Sequence, residues 1–115
     1  AETENMFSKK EFVQMKKTSF IINCARGGII NEDDLCEALD NNNIAGAGLD
    51  VFDIEPAPKS NRILNTKNVI LSPHIAGVTV EATVRMARET VQNVLDVFDE
   101  KVNENVIVNS EILRR

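Results

Sequence analysis

The chain contains no tryptophan or tyrosine, and its ring side chains are five phenylalanines and a single histidine. That scarcity excludes an aromatic platform on which single-stranded bases could stack. Positive charge is short as well: 13 lysines and arginines face 18 acids, leaving a net charge of −5. Such a balance argues against nucleic acid or an anionic membrane as a partner. No apolar run approaches the ~20 residues of a membrane span, and the polar opening lacks the pattern of a secretory signal. Cysteine is limited to Cys24 and Cys36, too few for a disulfide scaffold and suited to small packed residues in a reducing compartment. The 115 residues leave room for one core. An acidic, soluble, cytoplasmic domain is the expectation.

What is present is an alternation of short elements, without repeats or linker-like tracts. Ser8 with Glu11 reads as a capping box opening a helix through Lys16 that buries Phe12 and Met15. Ser19 to Cys24 is a continuous apolar run of strand length, which predicts a strand covered on both faces in a parallel sheet. Asn31 caps a second helix, with Glu32, Asp33 and Asp34 in its first turn and Leu35, Ala38 and Leu39 as its buried stripe. Asn41 to Asn43 end it. Ala45 to Phe52 forms a small-residue strand, Pro56 and Pro58 enforce a loop, and Asn68 to Ser72 is a third strand halted by Pro73.

From Thr79 to Lys101, Val80, Val84, Ala87, Val91, Val94 and Phe98 recur at intervals of three and four, one face of a long helix. Glu81, Arg85 and Glu89 are spaced for ion pairs on its other side. A short apolar run, Asn105 to Val108, follows. This rhythm predicts an α/β layer fold with a parallel sheet.

In such sheets ligands sit beyond the carboxyl ends of the strands. The first strand runs into Ala25-Arg26-Gly27-Gly28, the second into Asp50 with Glu55 beyond, and the third into Ser72-Pro73-His74-Ile75-Ala76-Gly77. Strand phase alone therefore places Arg26, Asp50, Glu55 and His74 along one edge. His74 is the side chain that titrates nearest neutrality and the natural proton carrier. Glu55 is placed to fix its tautomer, and Arg26 offers a planar fork for a carboxylate. Together they describe acid/base chemistry on a small carboxylic acid bearing a hydroxyl or keto group. Each also has a plain structural reading: a surface histidine, a solvated loop glutamate, an arginine capping a carbonyl, an aspartate making a turn.

Three blocks carry a resemblance. Lys16 to Asn31 (KKTSFIINCARGGIIN), Ala45 to Phe52 (AGAGLDVF) followed by Glu55-Pro56, and Asn68 to Gly77 (NVILSPHIAG) resemble, in order, the motifs of the D-isomer-specific 2-hydroxyacid dehydrogenases. The resemblance implies part of a Rossmann-type doubly wound parallel sheet followed by a long interdomain helix. It also implies NAD, with NADP left open, as cofactor. By position, Arg26 would bind the substrate carboxylate and reacting oxygen, His74 would be the general acid/base, and Glu55 would hydrogen-bond His74 and favour its charged form. Asp50 would sit by the nicotinamide carboxamide. The backbone around Cys24 and Ala25 would line the ring, with Arg26, His74, Ala76 and Gly77 completing the cofactor contacts. No metal is implied. Glu55 argues against the formate-oxidising branch, and the blocks look most like phosphoglycerate, glycerate or hydroxypyruvate dehydrogenases. Thr18-Ser19 and Asn31 are mild departures.

One departure is large. The G-x-G-x-x-G turn is absent, and the close glycine pairs, Gly27-Gly28 and Gly46 with Gly48, do not open a helix as a phosphate turn should. The expectation is thus a carboxy-terminal fragment: half a nucleotide-binding domain over 1–77, an interdomain helix over 78–102, and a tail over 103–115 returning to a substrate domain. It would be inactive alone, its full-length form a homodimer acting on a small 2-hydroxy or 2-keto acid. Two alternatives stay open: a dinucleotide-sensing, corepressor-like binding protein of the same fold, and a folded fragment without a function of its own.

Overall fold

Glu11 closes the turn that opens the first helix, accepting hydrogen bonds from the Ser8 N–H at 3.0 Å and the Ser8 hydroxyl at 2.8 Å. The computed structural model describes residues 2–111 and divides the chain into two units, residues 1–76 and 77–115. In the first unit, α1 (Lys9–Gln14) is followed by β1 (Phe20–Asn23), α2 (Glu32–Asp40) and β2 (Gly46–Leu49). A 3-10 helix at Arg62–Asn65 and β3 (Val69–Leu71) complete it. The three strands are all parallel in the order β1-β2-β3, with Asn23 opposite Leu49 and Leu49 opposite Leu71. Every strand therefore ends on the same edge.

The helix α1 stops at Gln14 rather than Lys16, because Met15 turns to extended backbone and a Ser19 N–H to Lys16 carbonyl bond makes the turn into β1. Asn31 caps α2 as its sequence predicts, its side chain accepting from the Asp34 N–H at 2.9 Å. Phe12, Leu35, Leu39 and Ile63 pack on the sheet face that carries Ile21, Ala47 and Leu49. Each such fully buried side chain stabilises the fold by about 1.5–3 kcal/mol relative to exposure. The 3-10 helix is an addition to the proline-enforced loop; Asn61 starts it by accepting from the Ile63 N–H.

The expectation that β1 is covered on both faces is corrected. Its burial alternates, and on the far face Phe20, Ile22 and Ile70 are 69%, 74% and 80% exposed. The reason lies in the layering: α1, α2 and the 3-10 helix all pack on the Ile21 side. An apolar run reports what a strand can bury, while neighbouring layers decide what it does bury.

The second unit holds α3 (Val80–Phe98), started by the Thr79 hydroxyl accepting from the Ala82 N–H, and a short 3-10 turn at Glu104–Val106. None of the α3 residues is buried. Among the described residues, the expected Glu81–Arg85 and Arg85–Glu89 pairs are not formed. Glu81 instead turns back to its own N–H and the Thr79 hydroxyl, which hold its carboxyl below the usual range. No helix among the described residues is long and apolar enough to cross a membrane. The end of the 103–115 tail lies outside the described residues.

Candidate active site

The exit of β1 is shaped by an amide side chain. Asn23 ends the strand on its buried face; its Oδ1 accepts from the Ala25 N–H at 3.0 Å and its Nδ2 donates to the Arg26 carbonyl at 2.9 Å. The loop so closed leaves Cys24, Ala25 and Arg26 exposed. The Arg26 guanidinium bonds the Ala25 carbonyl of its own loop at 2.7 Å. Gly27 follows where nothing larger fits: a Cβ there would lie 1.9 Å from the Phe52 carbonyl oxygen. Gly28 then donates its N–H to Asp53 Oδ1 at 2.7 Å.

The exit of β2 is governed by Asp50, which is 3% exposed. Its Oδ1 accepts from the Ser72 hydroxyl at 2.6 Å and the Ile75 N–H at 2.9 Å, and its Oδ2 from the Ala76 N–H at 2.9 Å. The Ser72 hydroxyl foremost, and then the two backbone donors, hold its carboxyl below the usual range against the opposing effect of burial. Asp50 thus makes a turn, but one built across sequence, from β2 to the loop after β3. That loop carries His74 with φ of 55°, in the left-handed region.

Glu55 faces the histidine. Its Oε1 accepts from the Phe52 N–H at 3.0 Å and its Oε2 lies 2.6 Å from His74 Nδ1. The bond to His74, before any other influence, keeps the Glu55 carboxyl below its ordinary value, and the Arg26 charge adds to the effect. Beside the pair lies an open cleft of about 580 Å³ walled by Phe52, Pro56, Leu64, Leu71 and Pro73.

Glu55 and His74 are therefore brought into direct contact, and Asp50 and Ala76 are joined to the His74 loop. Arg26 stands on the same edge without bonding Glu55 or His74, and shares its loop with Cys24 and Ala25. Gly77 opens the second unit. Cys36 is a packed core residue: it is buried, it accepts a hydrogen bond from the Thr66 hydroxyl at 3.3 Å, and burial pushes its thiol up. No cluster of metal-ligating side chains exists among the described residues. Sequence reasoning passed over Asn23 and Ser72. The available signal for Asn23 was an amide in the inward phase of an otherwise apolar strand, where an unpaired polar group is costly.

The donors and acceptors on this edge fit the nicotinamide end of a dinucleotide. Asp50 Oδ2 carries a single donor, which leaves lone-pair capacity for a carboxamide N–H. The exposed Cys24–Ala25 backbone offers a further edge. A glycine-rich turn opening a helix, which the pyrophosphate would need, is not among the described residues; Asn31 and Thr79 cap the long helices instead.

A parallel sheet with helices on it, all of its strands ending on one edge, is the architecture of a dinucleotide-binding domain. The family model for "D-isomer specific 2-hydroxyacid dehydrogenase, NAD binding domain" matches residues 1–76. The chain belongs to that family, and residues 1–76 are its NAD-binding domain. Among curated relatives, the glyoxylate/hydroxypyruvate reductase B of Serratia proteamaculans is 40% identical over 114 residues, 99% of this chain and 35% of that protein. Among solved structures, a D-isomer specific 2-hydroxyacid dehydrogenase of Polaromonas matches with a TM-score of 0.85 and 32% identity, over 92% of this chain and 33% of that one. A D-lactate dehydrogenase with NAD+ from Lactobacillus jensenii matches with a TM-score of 0.78 and 30% identity, over 87% and 34%. The chain spans about a third of the length of the curated relatives it matches.

Proposed function

We propose that the chain is the catalytic-edge segment of an oxidoreductase that interconverts a small D-2-hydroxy acid and its 2-oxo acid, of the glycerate, hydroxypyruvate or glyoxylate kind. The observation that carries this reading is His74 Nδ1 held 2.6 Å from Glu55 on the edge that also presents Arg26. With Nδ1 engaged by a carboxylate, Nε2 is the ring atom left to give a proton to the forming hydroxyl or take one from it. Glu55, kept ionised, stabilises the imidazolium when it forms. Arg26 supplies the bidentate fork for the substrate carboxylate, and its charge polarises the adjacent oxygen. NAD supplies or accepts the hydride when bound. Asp50 serves this chemistry by holding the turn on which His74 sits.

The relatives' reactions on glyoxylate and hydroxypyruvate support the choice of substrate class, and Glu55 argues for it over formate oxidation. The α3 helix is read as the link from the cofactor domain to a substrate domain, so the chain alone turns over no 2-oxo acid. Steady-state kinetics of the full-length enzyme carrying this chain test the assignment. His74→Ala and Arg26→Ala each lower kcat by about 10²–10⁴-fold, and Arg26→Ala also raises KM for the acid strongly. Near-normal constants in either variant, or normal turnover by the chain alone, overturn the reading.

A further inference from the structure

Between the first two strand exits runs a connection that none of the roles above uses. Asn23 is 7% exposed, and both ends of its amide are spent inside the loop that bears Arg26, on the Ala25 N–H and on the Arg26 carbonyl. Its own carbonyl accepts from the Asp50 N–H at 3.0 Å. One residue therefore touches the backbone that presents Arg26 and the residue whose carboxylate holds the His74 turn. On the other side of Arg26, Gly27 lies against the Phe52 carbonyl, where a Cβ would approach to 1.9 Å. The Arg26 backbone is pinned from both directions while its side chain stays exposed.

We infer that Asn23 is a positioning residue for substrate binding: its amide sets the conformation of residues 24–26 and thereby aims the Arg26 guanidinium from the sheet edge. The inference rests on the reading of Arg26 as the carboxylate-binding group. The chemistry at position 23 is narrow. The site needs an acceptor for the Ala25 N–H and a donor for the Arg26 carbonyl, in one short side chain whose stem lies in the core. An amide supplies both without charge, on two separate atoms. Aspartate keeps the shape and the acceptor but sets an oxygen against the Arg26 carbonyl, which drives the loop open. Alanine removes both bonds and leaves the Ala25 N–H to water.

Asn23→Asp and Asn23→Ala in the full-length enzyme carrying this chain, each also combined with Arg26→Ala, test the inference. Asn23→Asp raises KM for the 2-oxo acid about tenfold, the effect of one lost hydrogen bond, and Asn23→Ala, which loses both, raises it further, each with a smaller change in kcat and in KM for the dinucleotide. In the Arg26→Ala background the same substitutions leave KM for the acid unchanged, because the arginine through which they act is gone. A role in stability alone predicts equal effects in both backgrounds, and that result overturns the inference. So does an unchanged KM in Asn23→Asp while Arg26→Ala raises it, an outcome that leaves the functional reading standing. If Arg26→Ala itself leaves KM unchanged, the functional reading falls and the inference with it. Amide hydrogen exchange in the 115-residue chain supplies an arm free of activity. Protection of the Ala25 N–H is lost in Asn23→Ala, and an Ala25 N–H that exchanges freely in the unaltered chain overturns the inference.

Discussion

The helices α2 and α3 carry apolar stripes at the same spacing and meet opposite fates. In α2, Leu35, Cys36, Ala38 and Leu39 are all 3% exposed or less. In α3, Val80, Val84, Val91, Val94 and Phe98 range from 52% to 80% exposed. The α2 stripe meets Phe12, Ile21 and Ile63, whereas α3 stands on its Thr79 cap and its own ladder of backbone bonds. An amphipathic pattern states which face would gain from burial, and only a neighbouring layer realises that gain.

The largest expected effect separates the two helices directly. Leu35→Ala destabilises the chain by about 2–5 kcal/mol through lost burial and the cavity left behind. Val91→Ala changes stability by less than about 0.5 kcal/mol, as for an exposed site. Urea unfolding followed by circular dichroism measures both, and equal losses would break the comparison by showing the α3 stripe covered in solution.

A second contrast sets a glycine of one unit against a glycine of the other. Gly27→Ala drives a Cβ into the Phe52 carbonyl and costs about 1–3 kcal/mol, the range of overpacking. Gly77→Ala has nothing within 4 Å of the new Cβ and leaves the midpoint of unfolding in place. A Gly27→Ala chain as stable as the original would mean that the loop yields, and that the β1 exit is softer than its contacts imply.

The smallest effect is a slope. Asp50 and Glu55 both have carboxyls held below their ordinary values, so their contribution is present above the unfolded-state pKa and is lost as pH falls through the lower folded one. These two tie together loops far apart in sequence, whereas Glu81 serves only the first turn of its own helix. Acid therefore loosens the sheet edge of the first unit and merely frays α3. Ser72→Ala removes the main influence lowering Asp50 and moves the acid limb of a pH–stability curve upward. An unshifted limb would show that the two backbone donors suffice.

Much of this was legible in the chain. Ser8 with Glu11, Asn31 before three acids, and the runs Ser19 to Cys24, Ala45 to Phe52 and Asn68 to Ser72 are local signals, and each produced its element, although β2 stops at Leu49, three residues before Phe52. Strand phase also put Arg26, Asp50, Glu55 and His74 on one edge, and Glu55 does meet His74 there. Relations set by a third party were illegible. The bare face of β1 depends on which side the helices choose. The Glu81–Arg85 pair does not form, and Glu81 is held instead at the start of its own helix. Asn23 and Ser72 act through bonds to residues that no periodicity connects to them.

The backbone of His74 narrows what can ever stand at that position. At φ of 55° the β-branched residues are strained, while asparagine, aspartate and glycine rest there with little penalty. Loss of the imidazole therefore need not disturb the fold, and asparagine is the replacement that separates the two. A lineage that abandoned proton transfer could keep this turn intact with a single exchange. An asparagine at this position in a relative would then mark a surviving scaffold whose chemistry had been set aside.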